Sequence, residues 1–120
     1  MSDFTDIGTQ FVQHFYQTFS SDRTTLMQLF SDNSMLTFEG EQFMGQQSIY
    51  NKLTSFGKVS HNITTNDVQP SINDGIVCFV SGDLTIDDGQ PLKFSEVFHL
   101  QKGGAQGYYI LNDLFRLNLS

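Results

Sequence analysis

Glu39 and Glu41 flank Gly40 directly after Phe38, and Asp87 and Asp88 follow Ile86 ahead of Gly89. Carboxylates set beside large apolar residues in two turns of one sheet suit a particular chemistry. They attract a cation while the apolar neighbours, Phe43 among them, accept an aromatic group carried next to it. The aromatic contact would supply most of the affinity, and the charges would set orientation and association rate. The expected ligand is therefore a basic, aromatic-bearing partner. The plain alternative is two solvated acidic turns. A formal net charge of −7, with only six Lys or Arg in 120 residues, argues against a nucleic-acid partner, because phosphate contacts need a basic footprint.

Reaction chemistry is not signalled, and no catalytic residue is assigned. His14, His61 and His99 fall on different elements without a second ligand at metal-binding spacing, so neither a metal nor a cofactor is expected. The run Gly103 to Gly107 lacks both the phosphate-loop pattern and a following helix, and reads as a hairpin loop. Asp113 is the exception to weigh. It shares a strand face with Leu111, Phe115 and Leu117, which aims a carboxylate at an apolar interior, and a buried acid is costly unless paired. It could be a general base of raised pKa served by Tyr16 or His61, or a structural acid. The lone Cys78, inside the apolar run Ile76 to Val80, reads as a small buried hydrophobe in a reducing compartment.

The elements that must position these groups divide the chain in two. Phe4, Ile7, Phe11, Phe15 and Phe19 recur at steps of three and four, widened by Val12 and Tyr16, and predict an N-terminal helix with Asp3 at its N-cap. Asp22 is placed to cap a second short helix carrying Leu26, Leu29 and Phe30, closed by Ser31-Asp32-Asn33. Short strands follow at Met35 to Phe38 and Gln42 to Met44, then a third helix from Gln46 to Ser55. From Val59 the period switches to two: Val59, His61, Ile63 and Thr65 alternate up to Pro70. Asn73-Asp74-Gly75 is a tight-turn signal, and strands are expected at Ile76–Ile86, Leu92–Gln101 and Tyr108–Leu119. Helices first and a meander of strands afterwards mean α+β, one domain over residues 1–120 with helices on one sheet face.

The opposite face is too apolar for water. Phe79 points away from Ile76, Cys78 and Val80, and Ile110 and Leu114 are expected beside it, so a homodimer packed sheet to sheet through Phe79, Ile110 and Leu114 is predicted. No apolar stretch is long enough to span a bilayer, and Met1-Ser2-Asp3 does not begin a signal peptide, so a soluble intracellular protein without membrane contact is expected. On that expectation the sequons Asn62-Ile63-Thr64 and Asn118-Leu119-Ser120 are chance matches.

Along nearly its whole length the chain resembles the nuclear transport factor 2 family, most like its fungal members. The resemblance is carried by Phe15-Tyr16, Asp22-Arg23, Met35-Leu36-Thr37-Phe38-Glu39, Gln69-Pro70, Gly82 to Asp87, Phe94 to Leu100 and Asn112 to Leu117. It implies a cone-shaped fold, three helices on a strongly bent antiparallel sheet enclosing a hydrophobic cavity, with two cones forming a dimer. It further implies a carrier of the small GTPase Ran in its GDP state, moving between cytoplasm and nucleus through the nuclear pore complex. Glu39, Asp87 and Asp88 would pair with Ran lysines, with Phe38 and Glu41 beside them and a Ran phenylalanine in the cavity. Phe4, with Ile7, would bind the Phe-Gly repeats of nucleoporins. Phe4 and Phe38 stand where animal members carry Trp, and Gly89 replaces an acid of some members. The same fold hosts isomerases and dehydratases, as well as a heterodimeric scaffold subunit of messenger-RNA export receptors. The acids around Glu39 and Asp87 favour the carrier.

Overall fold

The apolar stripe of the first segment folds as expected into α1 (Asp3–Ser21), with Phe11, Val12, Phe15, Tyr16 and Phe19 buried and Gln13, His14 and Gln17 exposed. The computed structural model describes residues 3–103 and 107–118; Leu119, Ser120 and the side chain expected to cap α1, that of Asp3, lie outside what is described. A 3₁₀ helix (Arg23–Leu29) follows. Asp22 stands at its N-cap position, but its carboxylate accepts the Thr24 hydroxyl at 2.6 Å and caps no backbone N–H. The remaining elements are β1 (Phe30–Phe38), β2 (Glu41–Met44), α2 (Gln46–Leu53), β3 (Val59–Pro70), β4 (Ile76–Ile86), β5 (Leu92–Lys102) and β6 (Tyr108–Leu117). They form a curved, unclosed sheet in the order β2-β1-β6-β5-β4-β3, with the helices on its concave side. Every pair is antiparallel except β1 with β6, which runs parallel. Phe30, expected to end the second helix, instead opens β1 and stays buried.

Of the three places where the ladder slips, one lies between Phe30 and Met35 of β1, and the other two decide which residues face inward. Opposite β4, Ile63 pairs Gly82 and Thr65 pairs Ser81, leaving Thr64 as an extra residue. Such a bulge bends the strand and reverses its alternation beyond that point. Thr65, expected inward, is therefore exposed, while Asn66 and Val68 turn toward the core. The second slip lies in β6, where Leu100 pairs Ile110 and His99 pairs Asn112, leaving Leu111 over. It corrects the expected dimer face. Ile110 is fully buried in the core beside Leu100 and takes no part in the outer surface. Phe79 and Leu114, 45% and 49% exposed, do lie on that surface. Val97, paired to both, joins them in a row across β4, β5 and β6.

Gly82 makes the close approach at the first slip possible. A Cβ there would stand 2.2 Å from the Asn62 carbonyl oxygen and 3.0 Å from the Ile63 Cα, both backbone atoms that cannot swing aside. Replacing Gly82 by Ala should therefore lower stability by about 1–3 kcal/mol, the range for forcing atoms into a packed site. Urea unfolding measures it, and an unchanged midpoint would show that the sheet bends elsewhere.

Candidate functional site

Between α1, the segment after α2 and the concave sheet lies a hollow of ≈110 Å³ that the protein's own side chains leave open. Its size is of the order of the ~150 Å³ apolar void that accepts benzene in an engineered core. Phe19 comes from α1, Leu53 and Phe56 from the end of α2 and beyond, and Val59, Leu84, Ile86, Phe115 and Leu117 from the strands. Phe38 closes one side. Its ring stacks on Phe115 (centroids 4.4 Å apart, planes 6° apart), Phe115 continues to Phe94 at 5.5 Å, and Phe56 leans on Phe38 at 5.2 Å. These offset aromatic contacts make a stiff wall.

Both acidic motifs sit at this hollow because each wall residue carries an acid as its chain neighbour. Phe38 leads into Glu39 and Ile86 into Asp87. Glu39 and Gly40 both have positive φ, as do Asp87 and Asp88, so each acid is held in a turn of the hairpin kind. Glu39 Oε2 accepts the Leu117 N–H at 2.8 Å and lies 4.0 Å from Arg116, and Oε1 takes no hydrogen bond from a described residue. Asp87 Oδ1 accepts the Lys58 N–H at 2.9 Å, and Asp88 lies 3.3 Å from the Lys58 ammonium. Each principal acid is thus fixed through one oxygen, and the other takes no hydrogen bond from a described residue. Two expected members stand apart. Phe43 does not line the hollow, and Glu41 faces Lys52 at 3.9 Å in a shallow groove beside α2.

Arg23 ties this mouth together. Its guanidinium donates to the carbonyls of Phe19, Leu53, Phe56 and Gly57 at 3.2, 3.3, 2.8 and 2.6 Å and lies over the Phe19 ring. The sequence carries no signal for this role beyond an Arg at a helix start. Gly57, held by that clamp, is where Asp87 comes closest: a Cβ on Gly57 would stand 2.3 Å from the carboxylate.

Two polar side chains, Glu96 and His61, also reach the hollow. Glu96, absent from the sequence expectations, lines it and accepts the Tyr16 hydroxyl at 2.7 Å. The Tyr16 ring lies 4.6 Å from that of His61, another lining residue. Asp113 is inward-facing as expected and fully buried, but it does not line the hollow. Apart from the Glu96 carboxyl it faces, no donor among the described residues reaches either of its oxygens. Two carboxyls can share a hydrogen bond only if one keeps its proton. Burial first, and for Asp113 also the neighbouring Glu96 charge, raises both above the ordinary carboxylate range. Burial lowers His61 to about 4, so its imidazole is neutral, and pushes the Cys78 thiol up to about 12, which makes it inert. His99 is held in a side-chain network with Ser71, Gln101 and Asn112. At the N-terminal end, Phe4 and Ile7 are half-buried against the core.

Comparison with known proteins places this geometry. The Nuclear transport factor 2 (NTF2) domain matches residues 7–117. The chain is 49% identical to nuclear transport factor 2 of Neurospora crassa, over 98% of this chain and 97% of that one, and 47% identical to that of Saccharomyces cerevisiae at the same coverage. The solved structure of nuclear transport factor 2 from Cryptosporidium parvum superposes with a TM-score of 0.91 at 56% identity, covering 96% of this chain and 94% of that one. The Mtr2–Mex67 M domain complex of Candida albicans contributes a chain of TM-score 0.84 at 15% identity, a likeness of fold alone.

The buried acids make stability depend on pH. Glu96 and Asp113 titrate higher folded than unfolded, so their contribution is complete below the unfolded values near 4 and is lost as pH rises. His61 acts oppositely, costing stability as pH falls from 6.5 toward 4. Above those unfolded values each proton that the folded pair retains gives a fall of about 1.4 kcal/mol per pH unit. Asp113→Asn should flatten this slope, measured by urea unfolding across the pH range. An unaltered slope would mean that the pair ionises freely.

Proposed function

The chain belongs to the nuclear transport factor 2 family, and we propose that it is the carrier that binds Ran in the GDP state and brings it into the nucleus. Relatives near half identity over nearly full length are transport factors, and the chain is a carrier of this kind rather than an enzyme. The observation that carries the finer reading is an open phenyl-lined hollow with Glu39 and Asp87 at its edge. An aromatic side chain of Ran enters the hollow, and lysines beside it meet the free oxygens of Glu39 and Asp87, with Asp88 further out. Binding in this way discriminates by charge and shape together, because the acids steer the encounter while the hollow sets residence time.

A carrier must also pass through the pore. Phe4 and Ile7 keep part of their apolar surface exposed at one end of α1, which suits weak contacts with Phe-Gly repeats of nucleoporins. Weak contacts repeated along a chain give avidity without slow release. Two copies associate through the row Phe79, Val97 and Leu114. Such a carrier shuttles between cytoplasm and nucleus.

Calorimetric titration with Ran in both nucleotide states tests the reading. The GDP form should bind and the GTP form should not. Glu39→Lys should cost about 2 kcal/mol or more, roughly thirtyfold in Kd. Glu39→Gln keeps an acceptor for the Leu117 N–H, so its loss reports charge and not a broken turn. Equal affinity for both nucleotide states, or an unaffected Glu39→Lys, would sink the proposal. For the dimer, Leu114→Arg should halve the mass seen by light scattering at micromolar concentration; a monomeric unaltered protein rules the interface out.

A further inference from the structure

Neither the hollow nor its acidic edge accounts for Lys52. Its ammonium lies 5.1 Å from the centroid of the Phe38 ring, 5.3 Å from that of Phe56 and 5.6 Å from that of Phe43, with Glu41 at 3.9 Å. The side chain is only 24% exposed, although it stands in the last turn of a surface helix. The four groups around it come from the end of β1 (Phe38), from β2 (Glu41 and Phe43) and from the segment after α2 (Phe56). Three aromatic faces and a carboxylate converging on one point make a site for an alkylammonium ion, since each ring face carries the negative lobe of its quadrupole.

The contacts that hold Lys52 there are easily exchanged. Its ammonium makes no hydrogen bond to a described residue, and its one ion pair is long and reaches a carboxylate that is 69% exposed. Phe38 and Phe56 are common to both places: they wall the hollow and also face the cation. A ligand that seats an aromatic ring in the hollow therefore brings an adjacent basic side chain over the same two rings. A second cation cannot enter while Lys52 is present, because like charges at that separation repel.

We propose that Phe38, Phe43, Phe56 and Glu41 form an ammonium subsite for a lysine of the partner, and that Lys52 fills it in the free protein and swings out on docking. The four-carbon stem of lysine allows that movement without disturbing α2. Lys52 is then a built-in competitor that sets how strongly a basic partner must bind. The identity of the partner rests on the carrier reading; the existence of the subsite does not.

Two measurements decide it. Tetramethylammonium chloride is titrated by NMR against the phenylalanine ring resonances, with sodium chloride at equal ionic strength as control. Lys52→Met, which keeps the apolar stem, should bind the probe at least roughly tenfold more tightly than the unaltered protein, in line with a cation held by several rings. Adding Phe43→Ala to Lys52→Met should remove the gain. Equal or unsaturable shifts in both proteins overturn the subsite. In the second measurement, Lys52→Met should bind Ran with GDP roughly threefold to tenfold more tightly, as expected when a competing charge is removed. If Lys52→Met binds no better while Glu39→Lys loses binding, the subsite proposal falls and the carrier reading stands. If Glu39→Lys loses nothing, the carrier reading falls, and the tetramethylammonium titration alone decides the subsite.

Discussion

The structure depends on a sheet that bends around a space it does not fill. A flat sheet under α1 would bring the rings of Phe19, Phe38 and Phe115 together and close the hollow. The extra residues Thr64 and Leu111 add curvature where they break the ladder, and Gly82 lets two backbones approach closely at the first of them. The same two slips select which side chains turn inward. They turn Val68 and Ile110 inward, while the unbroken alternation of β4 leaves Phe79 outside beside Leu114, so the sheet carries the hollow on one face and the apolar row on the other.

A bent sheet frees backbone groups, and polar side chains take them up. Ser34, itself buried, donates to the Ile110 carbonyl beside the β6 bulge. Gln46, opening α2, donates to the carbonyls of Met27 and Phe30 where the 3₁₀ helix passes into β1. Arg23 gathers four carbonyls at the mouth. Of these carbonyls all but that of Gly57, which is exposed, would otherwise lose a hydrogen bond to water without replacement. The acids at the edge use the same logic in reverse, with backbone N–H groups of Leu117 and Lys58 fixing Glu39 and Asp87. Their orientation is set before any partner arrives, which reduces the ordering cost of binding.

The titratable groups beneath the hollow are tied to one another. Tyr16 is engaged with Glu96, Glu96 with Asp113, and Asp113 is shut off from the hollow. A general base needs an open line to a substrate proton, and the most deeply buried acid has none.

Much of this was legible in the chain itself. The three-and-four spacing from Phe4 to Phe19 specified α1 and its buried face, because helical period alone decides which residues share a side. Asn73-Asp74-Gly75 and Asp87-Asp88-Gly89 specified hairpin turns through residues that tolerate positive φ, and Phe38-Glu39 with Ile86-Asp87 already tied each acid to a wall residue. Strand alternation was readable only as far as the first bulge. A slip of one residue leaves no mark in composition, so the inward turn of Ile110 and the outward turn of Thr65 needed the neighbouring strand to reveal them. The pairing of Glu96 with Asp113, the clamp at Arg23 and the cage around Lys52 join residues far apart in sequence. Which distant side chains meet is settled by the curvature of the sheet, and curvature is a property of paired strands rather than of any one segment.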